Sequence, residues 1–332
     1  MATFFKGLAV GALAVIVSWG IFWAGQLGNP HPNNRWIEGA ITYKQQLAQE
    51  QPSPKIVVLA GSAAMFGVNS RYLEETYERP AVNLGVNAGI SLPAILHSAA
   101  PSIQSGDLVL LPLEYPLYNK EEAVSSSLIH WANSHPATFL QLPLTRALEV
   151  FAKTSLTRIL EGYRGIPYGF SVSGDYGAHN LDERGDQVNT ALAQREPRHW
   201  EFLNSLPAET YGEDIRAGSY DWKRLQQFRD TLLAKGACPV FMPPPFLYKP
   251  LYSESLAEVH FYETLPHHAT NAGLFWVGRP FDAMRDAEDF FDTNFHLVDE
   301  ARSAYTQQVI GWLGNQPLKR CQQFYRNLRN NS

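Results

Sequence analysis

Lys55-Ile-Val-Val-Leu-Ala-Gly-Ser-Ala-Ala-Met-Phe-Gly67 is the stretch whose reading decides the fold. It opens with a short apolar run rich in Ile and Val, breaks at Gly61-Ser62, and continues into small residues that favour a helix. That order reads as strand, tight turn and helix start. In an open α/β sheet the turn lies at the carboxyl end of a parallel strand, the edge where such sheets carry ligands. Ser62 is then presented beside backbone N–H groups at a helix start, a setting that suits a developing oxyanion. Ser62 is therefore a candidate nucleophile. The competing role for a serine there is a helix N-cap.

The same unit recurs. Residues 81–85 read as a second strand running into the glycine-rich turn Gly85-Val-Asn-Ala-Gly89, and 92–103 as a helix with Pro93 in its first turn. Residues 108–113 are apolar throughout, as a central parallel strand is. After a long middle, a helix over 222–235, a strand over 239–242, a helix over 253–265 ended by Pro266, a strand over 274–277 and a helix over 298–313 follow. Five βα-type units predict a three-layer α/β/α sandwich with a mostly parallel, doubly wound, flavodoxin-like five-stranded sheet. The middle, about 115–220, is an insertion of the size that carries a cap or substrate-binding elements. Its Trp131, Tyr163, Tyr168 and Tyr176 are candidates to stack on sugar rings or to pack a cap on the core. Asp182, Glu183, Arg184 and Asp186 read as a charged, solvated turn or a polar contact for substrate.

Residues 7–34 contain no charged side chain. The apolar stretch that overlaps them, about 4–27, is long enough to cross a hydrocarbon core of ~30 Å as a helix. Lys6 and the free amine lie at its N-terminal end, so the positive-inside tendency keeps the N-terminus cytoplasmic and exports the remainder. Trp19 and Trp23 fall near the far end, where interfacial aromatics belong. Phe22 spoils a small-x-small cleavage site ending at Ala24, which favours an uncleaved signal anchor over a cleaved signal peptide. The expected divisions are 1–28 anchor, 29–54 linker and helix, and 55–332 α/β domain with the insertion at about 115–220. A net charge of −5 over 332 residues gives no footprint for a nucleic-acid partner. Two cysteines, Cys238 and Cys321, either pair in an oxidising compartment or remain buried thiols. The tail after Ala301 has five Lys or Arg and no Asp or Glu, and reads as a basic, solvated segment.

A serine nucleophile needs a base, and the base an orienting group. Asp292-Thr-Asn-Phe-His296 lies after the last strand and before the last long helix, on the sheet edge expected to hold Ser62. His296 is the candidate base and Asp292 the candidate orienter. His260, Glu263 and His267 share one helical face, but Pro266 interrupts that helix, and no metal or other cofactor is expected.

With these blocks in place the chain resembles the SGNH/GDSL hydrolase superfamily over about 55–113 and 239–313. Members carry a nucleophilic Ser in Gly-Asp-Ser after the first strand. A Gly after the second strand and an Asn after the third serve the oxyanion, and Asp-x-x-His precedes the last helix. Here Gly61 replaces the Asp before Ser62, Gly85 maps to the oxyanion donor, Glu114 stands where the third-block Asn would be, and Asp292 lies four before His296. Asn83 and Asn87 are candidate substitute donors, and Glu114 a candidate to bind a substrate hydroxyl, orient a helper or be protonated by burial. The anchor, the altered first block and the Gly106–Tyr115 segment are similar to membrane-anchored members that work beside membrane-bound O-acyltransferases on cell-envelope polysaccharide, in O-acetylation or D-alanyl transfer. The resemblance implies an acyl donor, a glycan acceptor and such an acyltransferase as partners. It leaves transferase, esterase and inactive accessory protein as alternatives.

Overall fold

The computed structural model describes residues 2–120, 123–214 and 219–330. Residues 121–122 and 215–218 of the expected insertion lie outside them. In chain order the elements are α1 (Ala2–Ala24), α2 (Arg35–Glu50), β1 (Ile56–Val58), α3 (Ser62–Gly67), α4 (Ser70–Tyr77), β2 (Ala81–Asn83), α5 (Leu92–Ala99) and β3 (Leu108–Leu111). The middle holds α6 (Ser126–Ser134), α7 (Ala137–Gln141), α8 (Leu144–Lys153), α9 (Leu156–Arg164), α10 (Pro197–Ser205) and α11 (Tyr211–Asp214). Then come α12 (Trp222–Ala234), β4 (Cys238–Phe241), β5 (Phe246–Leu247), α13 (Leu251–Glu254), α14 (Leu256–Asn271), β6 (Met284–Arg285), α15 (Asp299–Leu313) and α16 (Pro317–Asn330).

The chain divides into two compact units, 1–36 with 124–172 and 37–123 with 173–332. The expected insertion is thus split: its 124–172 part joins the N-terminal helix, and the parts on either side belong with the sheet. The smaller unit is all helical. Its α1 includes Phe4–Ala24, long and apolar enough to cross a membrane, with none of its most apolar window buried.

The larger unit is α/β. Its main sheet has four parallel strands in the order β2-β1-β3-β4, with Val57 opposite Val82 and Val109, and Val109 opposite Pro239. β1 and β3 are buried along their whole length, so β-branched and leucine side chains fill both faces. Asp107, fully buried, joins the strand starts by accepting from the N–H groups of Lys55 (3.0 Å) and Gln104 (2.8 Å).

Residues 274–277 meet β4 through one parallel bridge, Trp276 to Phe241, in place of a full fifth strand. Pro239 supplies the reason. The N–H groups of Cys238 and Met242 turn toward β3 and that of Phe241 toward Phe275, so position 239 faces the side where a fifth strand would pair, and proline has no N–H to offer. Its carbonyl is taken by the Tyr325 hydroxyl at 3.0 Å. The expected basic tail is α16, a helix bearing Tyr325 and fastened to β4 by a Cys238–Cys321 disulfide. α14 runs through Pro266 instead of stopping there, because Phe261, Tyr262, Leu265 and Ala269 bury one face and outweigh the single lost backbone bond.

Candidate active site

The loop before α15 is closed on itself. Phe290 and Leu297 form an antiparallel bridge, and Phe291 N–H donates to the His296 carbonyl at 2.7 Å. Closure places Asp292 beside His296, with Nδ1 to Oδ1 at 2.7 Å and both side chains buried. Burial pushes the Asp292 carboxyl up, but the charge and hydrogen bond of His296 and the Tyr176 hydroxyl together outweigh it and hold it below the usual aspartate value. An ionised Asp292 selects the tautomer with the proton on Nδ1, which leaves Nε2 as the basic nitrogen.

Tyr176 donates its hydroxyl to Asp292 Oδ2, so both carboxylate oxygens are engaged. Burial and the Asp292 charge raise the Tyr176 pKa, so it stays a donor. Gln187 fixes the preceding residue by donating to the Asp175 carbonyl at 2.7 Å. Among the insertion aromatics, Tyr176 alone joins this cluster. Trp131 stacks on His135, and Tyr163 on Phe22.

The His296 ring lies flat on Phe66, with centroids 3.9 Å apart and planes within 7°. Phe66 follows Ser62 by one turn of α3, and residues four apart share a helix face. The other end of α3 is held by Arg302 of α15, whose Nε donates to the Phe66 carbonyl at 2.9 Å, a cation at a helix C-terminus. One structural block, the 290–297 loop with α15, therefore grips α3 by side chain and by backbone. Ser62 is part-buried at the start of α3, and Gly61, not Ser62, occupies the N-cap position, without a side-chain cap. Among the described residues Ser62 Oγ and His296 Nε2 make no hydrogen bond, to each other or to another group. Such contacts often close only with substrate in place.

Glu114 sits against the backbone of the Ser62 turn. Its Oε2 accepts from Gly61 N–H at 3.0 Å and its Oε1 from Ala63 N–H at 2.7 Å. Burial raises the carboxyl, while the bonds from Ala63 and Gly61 and the His296 charge pull the other way, with a net rise. Both oxygens are thus engaged by the turn instead of open to a substrate hydroxyl. The clamp also explains Gly61. A Cβ there would lie 2.4 Å from the Ala88 nitrogen and 2.5 Å from Glu114 Oε1.

The expected oxyanion donors are largely committed. Gly85 N–H donates to Asn83 Oδ1 at 3.0 Å. The Asn83 amide donates to the Ala64 carbonyl at 2.7 Å and to Asp186 at 2.8 Å, so Asn83 is a fully buried brace under α3. Asn87 borders Ala88, which packs on Gly61, and its buried Oδ1 has no hydrogen-bond partner.

Asp186 is buried and accepts from Ser70 N–H and Oγ at the start of α4 as well. The charged turn is thus partly interior rather than solvated. Lys44, fully buried on α2, donates to the Gly85 carbonyl, and burial lowers its pKa to about 7. Its signal was present in sequence: Ile37, Ala40, Lys44 and Leu47 share the buried stripe of α2. His260, Glu263 and His267 are exposed on α14, and no group of three metal-type ligands occurs among the described residues.

A cavity of about 320 Å³ opens at the other end of the sheet, against Ile56, Leu108, Arg79 and Lys319. It lies at the strand starts, away from the carboxyl-end edge where open α/β sheets carry chemistry, and no nucleophile–base pair lines it. No family model, curated protein or solved structure matches the chain.

Proposed function

We propose that the chain is an exported, membrane-anchored serine acyltransferase or esterase of SGNH type, acting on acyl groups, foremost O-acetyl, of cell-envelope polysaccharide. The observation that carries this reading is the Tyr176–Asp292–His296 relay seated on the helix that Ser62 begins. In this mechanism Ser62 Oγ attacks the acyl carbonyl as His296 Nε2 takes its proton. Asp292 stabilises the imidazolium. His296 then returns the proton to the leaving group, and a glycan hydroxyl or water releases the acyl group by the same path in reverse. The Ser62 N–H and the Asn87 amide are the donors we assign to the oxyanion.

The finer architecture belongs to the same reading. The order β2-β1-β3-β4 with the Trp276 bridge as a fifth position suits a doubly wound, flavodoxin-like sheet. Lys6 at the N-terminal end of the span and a disulfide between Cys238 and Cys321 suit an N-terminus inside and a domain in an oxidising compartment outside the membrane. An acyl donor, a glycan acceptor and a membrane-bound O-acyltransferase are the partners in this scheme. Treatment with a serine-directed fluorophosphonate is expected to label the wild-type chain and not Ser62→Ala. Equal labelling of the variant rejects Ser62 as nucleophile.

A second reading is an accessory protein without catalysis, which binds glycan or the acyltransferase. It is favoured by the engagement of Gly85, Asn83 and Glu114 within the protein. It expects no labelling of the wild type and an unchanged polymer acylation level in cells carrying Ser62→Ala.

A further inference from the structure

The helical unit carries apolar side chains that none of the described residues covers. Leu140 is 91% exposed and Leu144 75%. Leu148, four residues after Leu144, continues the row along α8, and Leu156 and Leu160 form a second such row on α9. The same helices already bury an apolar side through Val150 and Ile159. A helix in water needs one apolar face. Helices with two require a second apolar neighbour.

The position of these rows identifies the neighbour. The end of α1 is built into the same unit. The Trp23 ring meets Phe139 and Phe151 edge to face, with centroids 5.5 and 4.9 Å away. Its Nε1 donates to Asn133 Oδ1 at 3.0 Å, where Gln26 also donates at 2.7 Å. Tyr163 of α9 stacks on Phe22 and donates its hydroxyl to the Phe22 carbonyl at 2.8 Å. The helices with the bare rows are thereby tied to the last turns of the apolar span. Trp23, expected with Trp19 as an interfacial aromatic, is the pin that ties them. Charge agrees with this placement. Within 124–172 there are four Arg or Lys and two Glu, in a chain whose net charge is −5. A locally basic, apolar-faced helix pair suits anionic headgroups above acyl chains.

We infer that α7, α8 and α9 dock onto an anionic phospholipid bilayer as interfacial helices around the exit of α1, with Leu140, Leu144, Leu148, Leu156 and Leu160 inserted among the lipids. The inference depends on the membrane-anchor part of the proposed function and is independent of the catalytic part.

The test uses the full chain in nanodiscs of phosphatidylcholine and phosphatidylglycerol, with nitroxides on single cysteines. Both native cysteines are in the disulfide and do not compete. Labels replace Leu144, Leu148 or Leu160, with Leu13 in the span and the exposed Glu75 as references. Labels at 144, 148 and 160 are expected to collide with oxygen like the Leu13 label, and several-fold less with a water-soluble nickel chelate than the Glu75 label. Nickel contact at these positions equal to that at 75, with Leu13 still lipid-exposed, overturns the inference and leaves the anchor standing. Water contact at Leu13 too overturns the anchor and this inference with it. Exclusion of both reagents with dipolar broadening shows a second copy on the face and overturns the lipid assignment.

Discussion

Asp292 is held from both sides, by His296 on one oxygen and Tyr176 on the other. In the proposed mechanism each bond has a separate consequence. Asp292→Asn presents an amide to Nδ1, loses the tautomer that leaves Nε2 basic, and is expected to lower turnover of an activated acetyl ester by about 10³–10⁴-fold. Tyr176→Phe removes one hydrogen bond to a charged group, worth ~1.5–3 kcal/mol, and is expected to lower turnover by about ten-fold with KM little changed. Initial-rate kinetics on the two variants separate these outcomes. Asp292 also contributes to stability against acid. Its carboxyl lies lower in the folded chain than in the unfolded one, so its contribution is complete above the unfolded value of about 3.9 and is lost as pH falls through the lower folded value. The melting temperature is expected to drop below about pH 4, and Asp292→Asn to flatten that drop. A slope unchanged in the variant removes Asp292 from the acid response.

At the scale of elements, the turn from β1 into α3 is organised by Glu114, the residue after Leu113 beyond β3. A buried carboxylate that accepts two backbone N–H groups does for this turn what an N-cap side chain does for other helices. Glu114→Gln keeps the shape but turns an amide N–H₂ toward one of those donors. It is expected to destabilise the chain by about 1–3 kcal/mol, read from the midpoint of urea unfolding. Gly61→Asp, which would put an Asp directly before Ser62 as in the pattern the chain resembles, is expected to do more harm than good. Its Cβ meets the Ala88 backbone nitrogen, and its charge meets Glu114. Loss of at least ~2 kcal/mol, with no gain in esterase rate, is the expected outcome. A stable and faster Gly61→Asp variant contradicts the clamp. Gly61 and Glu114 are therefore one feature: a turn with no side chain before Ser62 takes its carboxylate from the residue beyond β3.

At the scale of the molecule, the disulfide closes a stretch with a sequence separation of 83 and fastens α16 to β4 along the side where pairing stops at Trp276. Cys238→Ala with Cys321→Ala is expected to lower stability by roughly 3–4.5 kcal/mol, chiefly by freeing the unfolded chain. Denaturant unfolding of the oxidised wild type beside the double variant measures it. A difference below about 1 kcal/mol means that packing of Tyr325 and Pro317 already holds α16.

The strand–turn–helix order around Ser62, the buried parallel strands, the apolar N-terminal helix and the adjacency of Asp292 and His296 were legible because each is written within a few neighbouring residues. Apolar run length and turn residues act locally. The truncated fifth strand was also written, in Pro239, and is readable once the direction of that residue's missing N–H is known. Tertiary structure alone decided the rest. Glu114 reaches across 51 residues to Ala63, Tyr176 across 116 to Asp292, and Arg302 across 236 to Phe66. The insertion divides because part of it packs on Trp23 and Gln26. Local pattern specifies which elements form. Which polar groups meet depends on how those elements stack, because a buried donor or acceptor is stable only beside a partner that the fold delivers from elsewhere in the chain.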